Sequence, residues 1–263
     1  MNESLINDET TLVSFEEGIE EVKNNIDHDP LKVNIEGLRE SSRSFFLSRL
    51  IQTLSRPVVV LTPNQNTGEK LIGDLRYFCK FNNVKKNIRF FPSWEILPYE
   101  NISPSSGVMG ERLEILHLLQ SNEISLLVAP VDAILQCVVP RKELSDHTFV
   151  LGIGDTLERE FLETCFLDNG FDRLPMVENR GHFSVRGDIV DVYPPASMNP
   201  VRVEFFDNTI ESIREFDINT QVSLNKIEKL EILPVRELSP SAVQKENGLN
   251  NIKIGRASCR ERV

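Results

Sequence analysis

The sequence has few cysteines, and they lie far apart. They are Cys79, Cys137, Cys165 and Cys259, and no pair has the spacing of a metal site. The histidines do not cluster near them. Isolated thiols of this kind are typical of reduced cysteines that fill small apolar spaces. The sequence therefore predicts no metal site, and nothing in it indicates a Ser-His-Asp or Cys-His catalytic arrangement.

Long hydrophobic runs are also missing. No apolar stretch approaches the roughly 18 residues that a membrane-spanning helix needs. The N-terminus, MNESLINDET, is polar and acidic, which excludes a secretory signal. We therefore expect a cytoplasmic protein with no membrane partner.

Basic residues are outnumbered by acidic ones. The chain has 29 lysines and arginines against 40 aspartates and glutamates, and its net charge is −11. A surplus of acid opposes general binding to a phosphate backbone, because such binding needs cations that displace counterions. Individual arginines remain available for contacts with another protein.

Two kinds of pattern follow one another along the chain. Over residues 31–140 short apolar runs alternate with amphipathic helical stretches, which predicts parallel βαβ units in a doubly wound sheet. Its strands are expected at Leu31–Ile35, in RPVVVLTPN (buried on both faces) and in NIRFFPSW. After about Leu144 the pattern changes to one helix, capped by Asp155 or Thr156 and ended by Gly170, followed by antiparallel strands. These strands are expected at His182–Val185, Asp188–Val192, Val201–Phe206, Ile210–Phe216 and Lys229–Ile232.

The segment GLRESSRS, from Gly37 to Ser44, resembles a phosphate-binding loop that lacks its key residues. The working pattern is G-x-x-x-x-G-K-[ST]. Here Ser42 replaces the second glycine and Arg43 replaces the lysine, so only Gly37 and Ser44 match. Serine lacks the backbone freedom of glycine, and the planar head of arginine does not substitute for an ammonium group. We therefore expect a degenerate, structural loop that binds no cofactor.

Three stretches, in order, resemble one protein family. They are PSWEILPYENISPSSGVMGERL (92–113), GHFSVRGDIVDVYPP (181–195) and VRVEFFDNTIESIREFD (201–217). Together they are similar to the N-terminal region of the bacterial transcription-repair coupling factor family, Mfd. The last two are also similar to UvrB, the damage-verifying subunit of nucleotide excision repair. The W-E-x-L-P-Y segment and the broken loop favour the coupling factor, since UvrB keeps an intact phosphate loop.

The resemblance implies a fold class and a set of domains. The class is α/β: a parallel-sheet domain like that of the phosphate-loop NTPases, but degenerate, with an inserted α+β antiparallel domain of the UvrB-interaction type. The expected limits are residues 1–30 for a polar leader with one short helix, 31–147 for the degenerate α/β domain (1a), 148–233 for the UvrA-binding module (domain 2) and 234–252 for the start of domain 1b.

The last residues, IGRASCRERV, do not continue the preceding pattern. They resemble the translation of a sequencing-library adapter. We therefore expect residues 253–263 to be a non-native tail and the natural protein to continue. The alternative is an ordinary basic C-terminus.

The resemblance also implies partners. In this family domain 2 recruits UvrA by imitating UvrB, and the contact residues fall on Arg186, Arg202 and Phe206. The fragment would then be no enzyme. The motor that uses ATP and magnesium, with the contacts to RNA polymerase and DNA, would lie in missing C-terminal regions. One alternative is an ATP-dependent, UvrB-like helicase domain of the excision nuclease; another is a structural or autoinhibitory domain.

The residues themselves agree with part of this reading. In a strand at Val201–Phe206 the side chains alternate, which places Arg202, Glu204 and Phe206 together on the solvent side. An exposed phenylalanine beside an arginine is typical of a protein-binding surface. We expect the two arginines and Phe206 to face water at one edge of the antiparallel sheet. The alternative is that Phe206 packs under a loop and both arginines pair with local acids.

Overall fold

The computed structural model describes residues 15–28, 34–94 and 105–237. The elements in chain order are α1 (Phe15–His28), α2 (Ser41–Thr53), β1 (Val58–Thr62), α3 (Gln65–Phe81), β2 (Ile88–Phe90), α4 (Ser106–Gln120), β3 (Leu126–Pro130), α5 (Val131–Leu135), α6 (Arg141–Asp146), β4 (Phe149–Gly152), α7 (Arg159–Asp168), β5 (Asp172–Arg173), β6 (His182–Arg186), β7 (Ile189–Val192), β8 (Val201–Phe206), β9 (Thr209–Phe216), β10 (Ser223–Lys226) and β11 (Lys229–Ile232). Helices and strands, with both parallel and antiparallel sheets, confirm the mixed class predicted from the sequence. None of the helices in the described ranges is both long enough and apolar enough to cross a bilayer.

The described residues fall into two compact units. Unit 1 consists of residues up to 91 together with 122–135, and unit 2 consists of 92–121 together with the residues from 136 onward. Packing therefore groups α4 and α6 with the antiparallel strands, whereas the sequence places them in a domain that ends at residue 147. The sequence limits stay a prediction about modules, and the predicted segments 234–252 and 253–263 lie largely or wholly outside the described residues.

Unit 1 is built on a parallel sheet in the order β1-β3-β2. Val58 pairs with Leu126 and Ile88 pairs with the same residue from the other side, so β3 is the central strand. Helices α2 and α3 pack on one face through residues that include Ile51 and Leu75. These two helices share one apolar cluster with Leu126 and Val128 of β3, and the predicted doubly wound arrangement of residues 31–140 stays a prediction.

Two strand predictions for unit 1 need correction. Asn34 and Ile35 are not in a strand, and residues 31–33 of that predicted strand lie outside the described residues. Strand β1 was expected to be buried on both faces, but Val59 and Leu61 are each 57% exposed. The reason is that β1 is an edge strand whose second face is uncovered, and a β-branched run alone does not distinguish one covered face from two.

Unit 2 is built on a six-stranded sheet in the order β10-β9-β8-β7-β6-β5. All neighbours are antiparallel except β5 and β6. One face packs against α7 through Leu162 and Phe166, which join Val190, Val203 and Ile213 in the core. A separate pair, β4 and β11, is also antiparallel. The five predicted strands are confirmed, while the short β4, β5 and β10 were not predicted.

Of the two predicted ends of α7, only the C-terminal one is confirmed. Gly170, with φ of +83°, follows the C-cap Asn169 and ends the helix as predicted. The predicted N-cap at Asp155 or Thr156 is wrong, because the helix begins after Glu158, whose side chain makes no capping bond. The Asp155 carboxylate instead accepts a hydrogen bond from the Gly152 amide within a turn.

Candidate functional site

Strand β8 displays the residues of interest by simple alternation. Val201, Val203 and Phe205 are buried in the core of unit 2, and the side chains between them point to the opposite face. We call that opposite face of the six-stranded sheet the outer face. The predicted alternation is confirmed, but the predicted location is not: β8 is an interior strand, so Arg202 and Phe206 lie on a sheet face and not at a sheet edge.

Arg186 and Arg202 meet at one carboxylate on the outer face. Asp191 in β7 lies directly opposite Arg202 in the strand register. Arg202 donates from Nε to Oδ1 at 2.7 Å and from Nη2 to Oδ2 at 2.9 Å. Arg186 donates from Nη2 to the same Oδ2 at 2.7 Å. Both arginines therefore pair with one local acid, as the alternative reading expected, although they remain side by side.

The two arginines differ strongly in exposure. The side chain of Arg186 is 49% exposed and that of Arg202 is 16% exposed, while Asp191 is only 2% exposed. The prediction that both guanidinium groups face water is therefore wrong for most of Arg202. Burying Asp191 requires charged partners, since an unpaired carboxylate in such a place is costly. Arg202 provides two of the three hydrogen bonds, and its burial follows from that role.

Other groups fix the guanidinium of Arg202. It lies 4.7 Å from the ring centroid of Phe216, which is buried on the outer face, and its Nη2 donates to Gln221 Oε1 at 3.2 Å. The hydrogen bonds with Asp191 raise the pKa of Arg202 above its ordinary value, although burial acts in the opposite direction. Arg202 is thus a charged, largely buried side chain held by Asp191, Phe216 and Gln221.

Phe206 is the exposed apolar group of this face. Its side chain is 71% exposed, so the alternative in which it packs under a loop is wrong. Phe206 pairs with Thr209 at the β8–β9 turn, where Asp207 has a positive φ of 54°. Most of this ring is left in water by the fold, which makes it available for a partner.

Arg186 and Phe206 lie at the same end of the sheet. Arg186 is the last residue of β6, and in register it is aligned through Ile189 with Glu204, two residues before Phe206. Two strand spacings separate β6 from β8, which is about 10 Å. At this end Arg159 of α7 donates to the Gly187 carbonyl and forms an ion pair with Asp188, so the β6–β7 turn is held in place.

The sequence did not identify the acids and amides that organise this face. The sequence alone predicted no role for Asp191 or Gln221. The available signal was an acid within the apolar run IVDV of β7, since a charge there demands a buried partner. Glu204 and Arg214 form a second ion pair on the same face, at 2.9 Å.

The GLRESSRS loop in unit 1 bonds to itself. The Ser42 hydroxyl accepts from the Arg39 amide at 2.7 Å and donates to the Arg39 carbonyl at 2.6 Å. Arg43 Nε donates to the Leu38 carbonyl at 3.1 Å, and the Ser44 hydroxyl is buried against the Leu71 carbonyl at 3.5 Å. Gly37 has a φ of +82°, a conformation that favours glycine. Ser42, Arg43 and Ser44 therefore each make a side-chain hydrogen bond within the loop or to α3.

Unit 2 also contains a buried ion pair formed by residues outside the six-stranded sheet. The Arg112 and Glu237 side chains are 0% and 2% exposed and pair closely, and Arg112 Nη1 donates to the Pro92 carbonyl at 2.6 Å. Burial raises the pKa of the Glu237 carboxyl, and the Arg112 contacts oppose that rise. No group of three or more potential metal ligands is present within residues 15–28, 34–94 and 105–237.

The part of the chain that forms the six-stranded sheet also matches a known protein family. Residues 149–238 match the family described as the UvrB interaction domain, and they contain the six-stranded sheet with its outer face. The second part of the chain is therefore similar to UvrB interaction domains.

Whole-chain relatives extend the assignment. The chain is 33% identical over 210 residues to the transcription-repair-coupling factor of Myxococcus xanthus, which covers 79% of this chain and 18% of that protein. The same factor of Bacillus subtilis (strain 168) is 30% identical over 232 residues. The match covers 88% of this chain and 19% of that protein. The chain belongs to the transcription-repair-coupling factor family, and it spans less than a fifth of the length of these relatives.

Proposed function

We propose that this chain is a non-catalytic module that recruits UvrA by presenting a surface like that of UvrB, and so links stalled transcription to excision repair. The observation that carries the proposal is the outer face, on which a half-exposed arginine and an exposed phenylalanine lie at one end of a rigid sheet. Aromatic and arginine side chains dominate the binding energy of protein interfaces. The family assignment supports UvrA as the partner.

Within this proposal the three predicted contact residues have different tasks. Arg186 offers free donor positions, because its Nη2 is the one terminal nitrogen bonded to Asp191. Phe206 offers an apolar ring that a partner pocket can bury. Arg202 contributes positive potential and holds Asp191, so it acts mainly by positioning Arg186. A partner acid reaching Arg186 would complete a charge-assisted contact.

The proposal includes a nucleotide-free unit 1. The internal hydrogen bonds of Ser42, Arg43 and Ser44 favour the interpretation that this loop is structural. They argue against a site for ATP and magnesium. We further propose that the ATP-driven motor, and the contacts with RNA polymerase and DNA, belong to other parts of the full-length protein. The competing function, an ATP-dependent UvrB-like helicase domain, needs the loop residues that are replaced here.

Competition with UvrB tests the proposal. Purified UvrA is immobilised, loaded with UvrB, and titrated with the 263-residue chain. If the chain presents a UvrB-like surface, it displaces UvrB in a concentration-dependent manner, and the Arg141→Glu variant, changed at an exposed position of α6, displaces it equally well. Simultaneous binding of both proteins to UvrA would contradict mimicry of the UvrB surface.

A further inference from the structure

Residues 34–91 of unit 1 carry a charge opposite to that of the whole chain. They contain ten lysines and arginines but only four acids, a net charge of +6, whereas the complete chain has −11. The four acids are Glu36, Glu40, Glu69 and Asp74. The excess is local to this segment, because the acidic α1 belongs to the same unit, so a polyanion would bind at a few neighbouring cations and not to unit 1 as a whole.

The solvent side of α3 carries two large aromatic rings. Tyr77 is 66% exposed and Phe81 is 74% exposed, and they are four residues apart, so they share one helix face. Their rings are stacked, with centroids 6.5 Å apart and planes inclined by 14°. The core side of the same helix is formed by Ile72, Leu75 and Cys79. The two rings are therefore not needed to hold α3 on the sheet.

Exposed cations flank these rings along the chain. Arg76 and Lys80 are exposed on α3, next to Tyr77 and Phe81 in sequence, and Lys85 is exposed in the segment that follows the helix. No acidic residue occurs between Leu75 and Trp94. We call Arg76, Tyr77, Lys80, Phe81 and Lys85 the aromatic face.

We propose that the aromatic face binds single-stranded nucleic acid. Unpaired bases stack on exposed aromatic rings, and lysine and arginine beside those rings hold the phosphates, which is how sequence-tolerant single-strand sites work. A duplex keeps its bases stacked on one another and offers only its phosphates. DNA and RNA differ mainly in the sugar, whereas the rings would contact bases and the cations would contact phosphates. We therefore expect DNA and RNA strands to bind with similar affinity. This site is separate from the outer face and does not depend on UvrA recruitment.

Charge also predicts how the site responds to salt. The net charge of −11 disfavours binding of any polyanion at a distance, so the local cations must act at short range. Binding should weaken as salt rises, with a slope set by the few phosphates that the cations neutralise. The stacking contribution should persist at higher salt, since it is not electrostatic in origin.

Fluorescence anisotropy of the 263-residue chain with labelled oligo(dT) of about 15 nucleotides tests the proposal, since single-strand sites span lengths of this order. The double variant Tyr77→Ala/Phe81→Ala should bind about tenfold more weakly or worse, because each lost stacking contact is substantial. The double variant Lys80→Glu/Lys85→Glu should bind more weakly and show a shallower salt dependence. Circular dichroism confirms that these exposed changes leave the fold intact.

Matched variants elsewhere serve as controls. Phe161→Ala removes a phenylalanine that is 63% exposed on α7, and Lys142→Glu reverses an exposed charge on α6; both should bind oligo(dT) like the parent chain. Oligo(U) should match oligo(dT). The proposal is overturned by absence of binding at low salt, by equal loss in the control variants, or by equal affinity for duplex DNA. It is also overturned if poly-glutamate or anionic lipid vesicles bind as tightly, since those results assign the face to an acidic protein or a membrane.

Discussion

Arg202 donates two hydrogen bonds to Asp191, one from Nε and one from Nη2, and so neutralises a carboxylate that is almost fully buried in the outer face. This pairing separates the two predicted contact arginines by role. Arg202 is required for the sheet to hold its shape, whereas the more exposed Arg186 is free to meet a partner. The variants that test stability and binding must therefore differ.

Replacing Arg202 should cost stability. Arg202→Ala leaves Asp191 buried with Arg186 as its remaining charged partner in this cluster, and breaking such a pair costs about 3 kcal/mol of the free energy of unfolding. Arg202→Glu should be worse, because it places two carboxylates together, so loss of UvrA capture by that variant reports unfolding. Urea denaturation measures the effect, with Arg141→Ala as an exposed control. Unchanged stability of Arg202→Ala would refute the structural role of this arginine.

Asp191 should act on binding through the arginines that it holds. Asp191→Asn keeps the shape but removes the charge, so Arg186 loses its ion pair and becomes mobile. We expect UvrA to bind this variant several-fold more weakly, although no residue of the contact surface has been replaced. Surface plasmon resonance gives the affinity, and the same preparation is checked for a cooperative thermal transition. Full affinity in a folded Asp191→Asn chain would show that positioning by Asp191 is unimportant.

The GLRESSRS loop should not bind nucleotide. Isothermal calorimetry of the chain with ATP and magnesium is expected to give no heat of binding, since Ser42, Arg43 and Ser44 are engaged within the protein. UvrB, with its intact loop, is the positive control under the same conditions. Micromolar affinity for ATP would favour the helicase alternative over the recruiting module.

Acid should weaken the turn after Asp217, which holds Gln221 next to Arg202. Its carboxylate accepts from the Thr220 amide at 2.8 Å, from the Thr220 hydroxyl at 3.0 Å and from the Asn219 amide at 3.0 Å. The Thr220 amide is the main cause that lowers the pKa of Asp217. Because the folded pKa is lowered, this group stabilises the turn above the ordinary carboxyl range, and the stabilisation is lost as pH falls through the folded pKa.

NMR titration of the Asp217 carboxyl carbon checks that prediction. Thr220→Val removes the hydroxyl donor and keeps the amide, so the pKa should rise part of the way toward its ordinary value. The same variant should loosen the adjacent Gln221, whose side chain accepts from Arg202. An unchanged titration in Thr220→Val would contradict the role of the hydroxyl.

Particular residues show what the sequence could and could not predict. The alternation in β8 was predictable because Val201, Val203 and Phe205 are apolar and the residues between them are not. The place of β8 inside the sheet was not, since strand order depends on pairings between distant segments. The burial of Arg202 likewise depends on Asp191, eleven residues away, coming into register with it.

Unit 1 shows the same limit. A β-branched run correctly predicted strand β1, but Val59 and Leu61 are exposed because β1 lies at the edge of the sheet, where the described residues leave that face of the strand uncovered. The amphipathic pattern of this region predicted helices, but the exposure of Tyr77 and Phe81 on α3 is a property of the fold and was not predicted. Apolar periodicity identifies which side of a helix packs, and it gives little information about the side that does not.

The affinity of the 263-residue chain for purified UvrA, compared across two phenylalanine variants and one arginine variant, tests the central claim most directly. Phe206→Ala and Arg186→Ala should each weaken binding about tenfold or more, as for residues at the centre of an interface, while leaving the unfolding transition in place. Phe161→Ala, which removes a comparably exposed ring, should bind like the parent chain. Equal affinity of all four proteins for UvrA would contradict the assignment of the outer face as the recruiting surface.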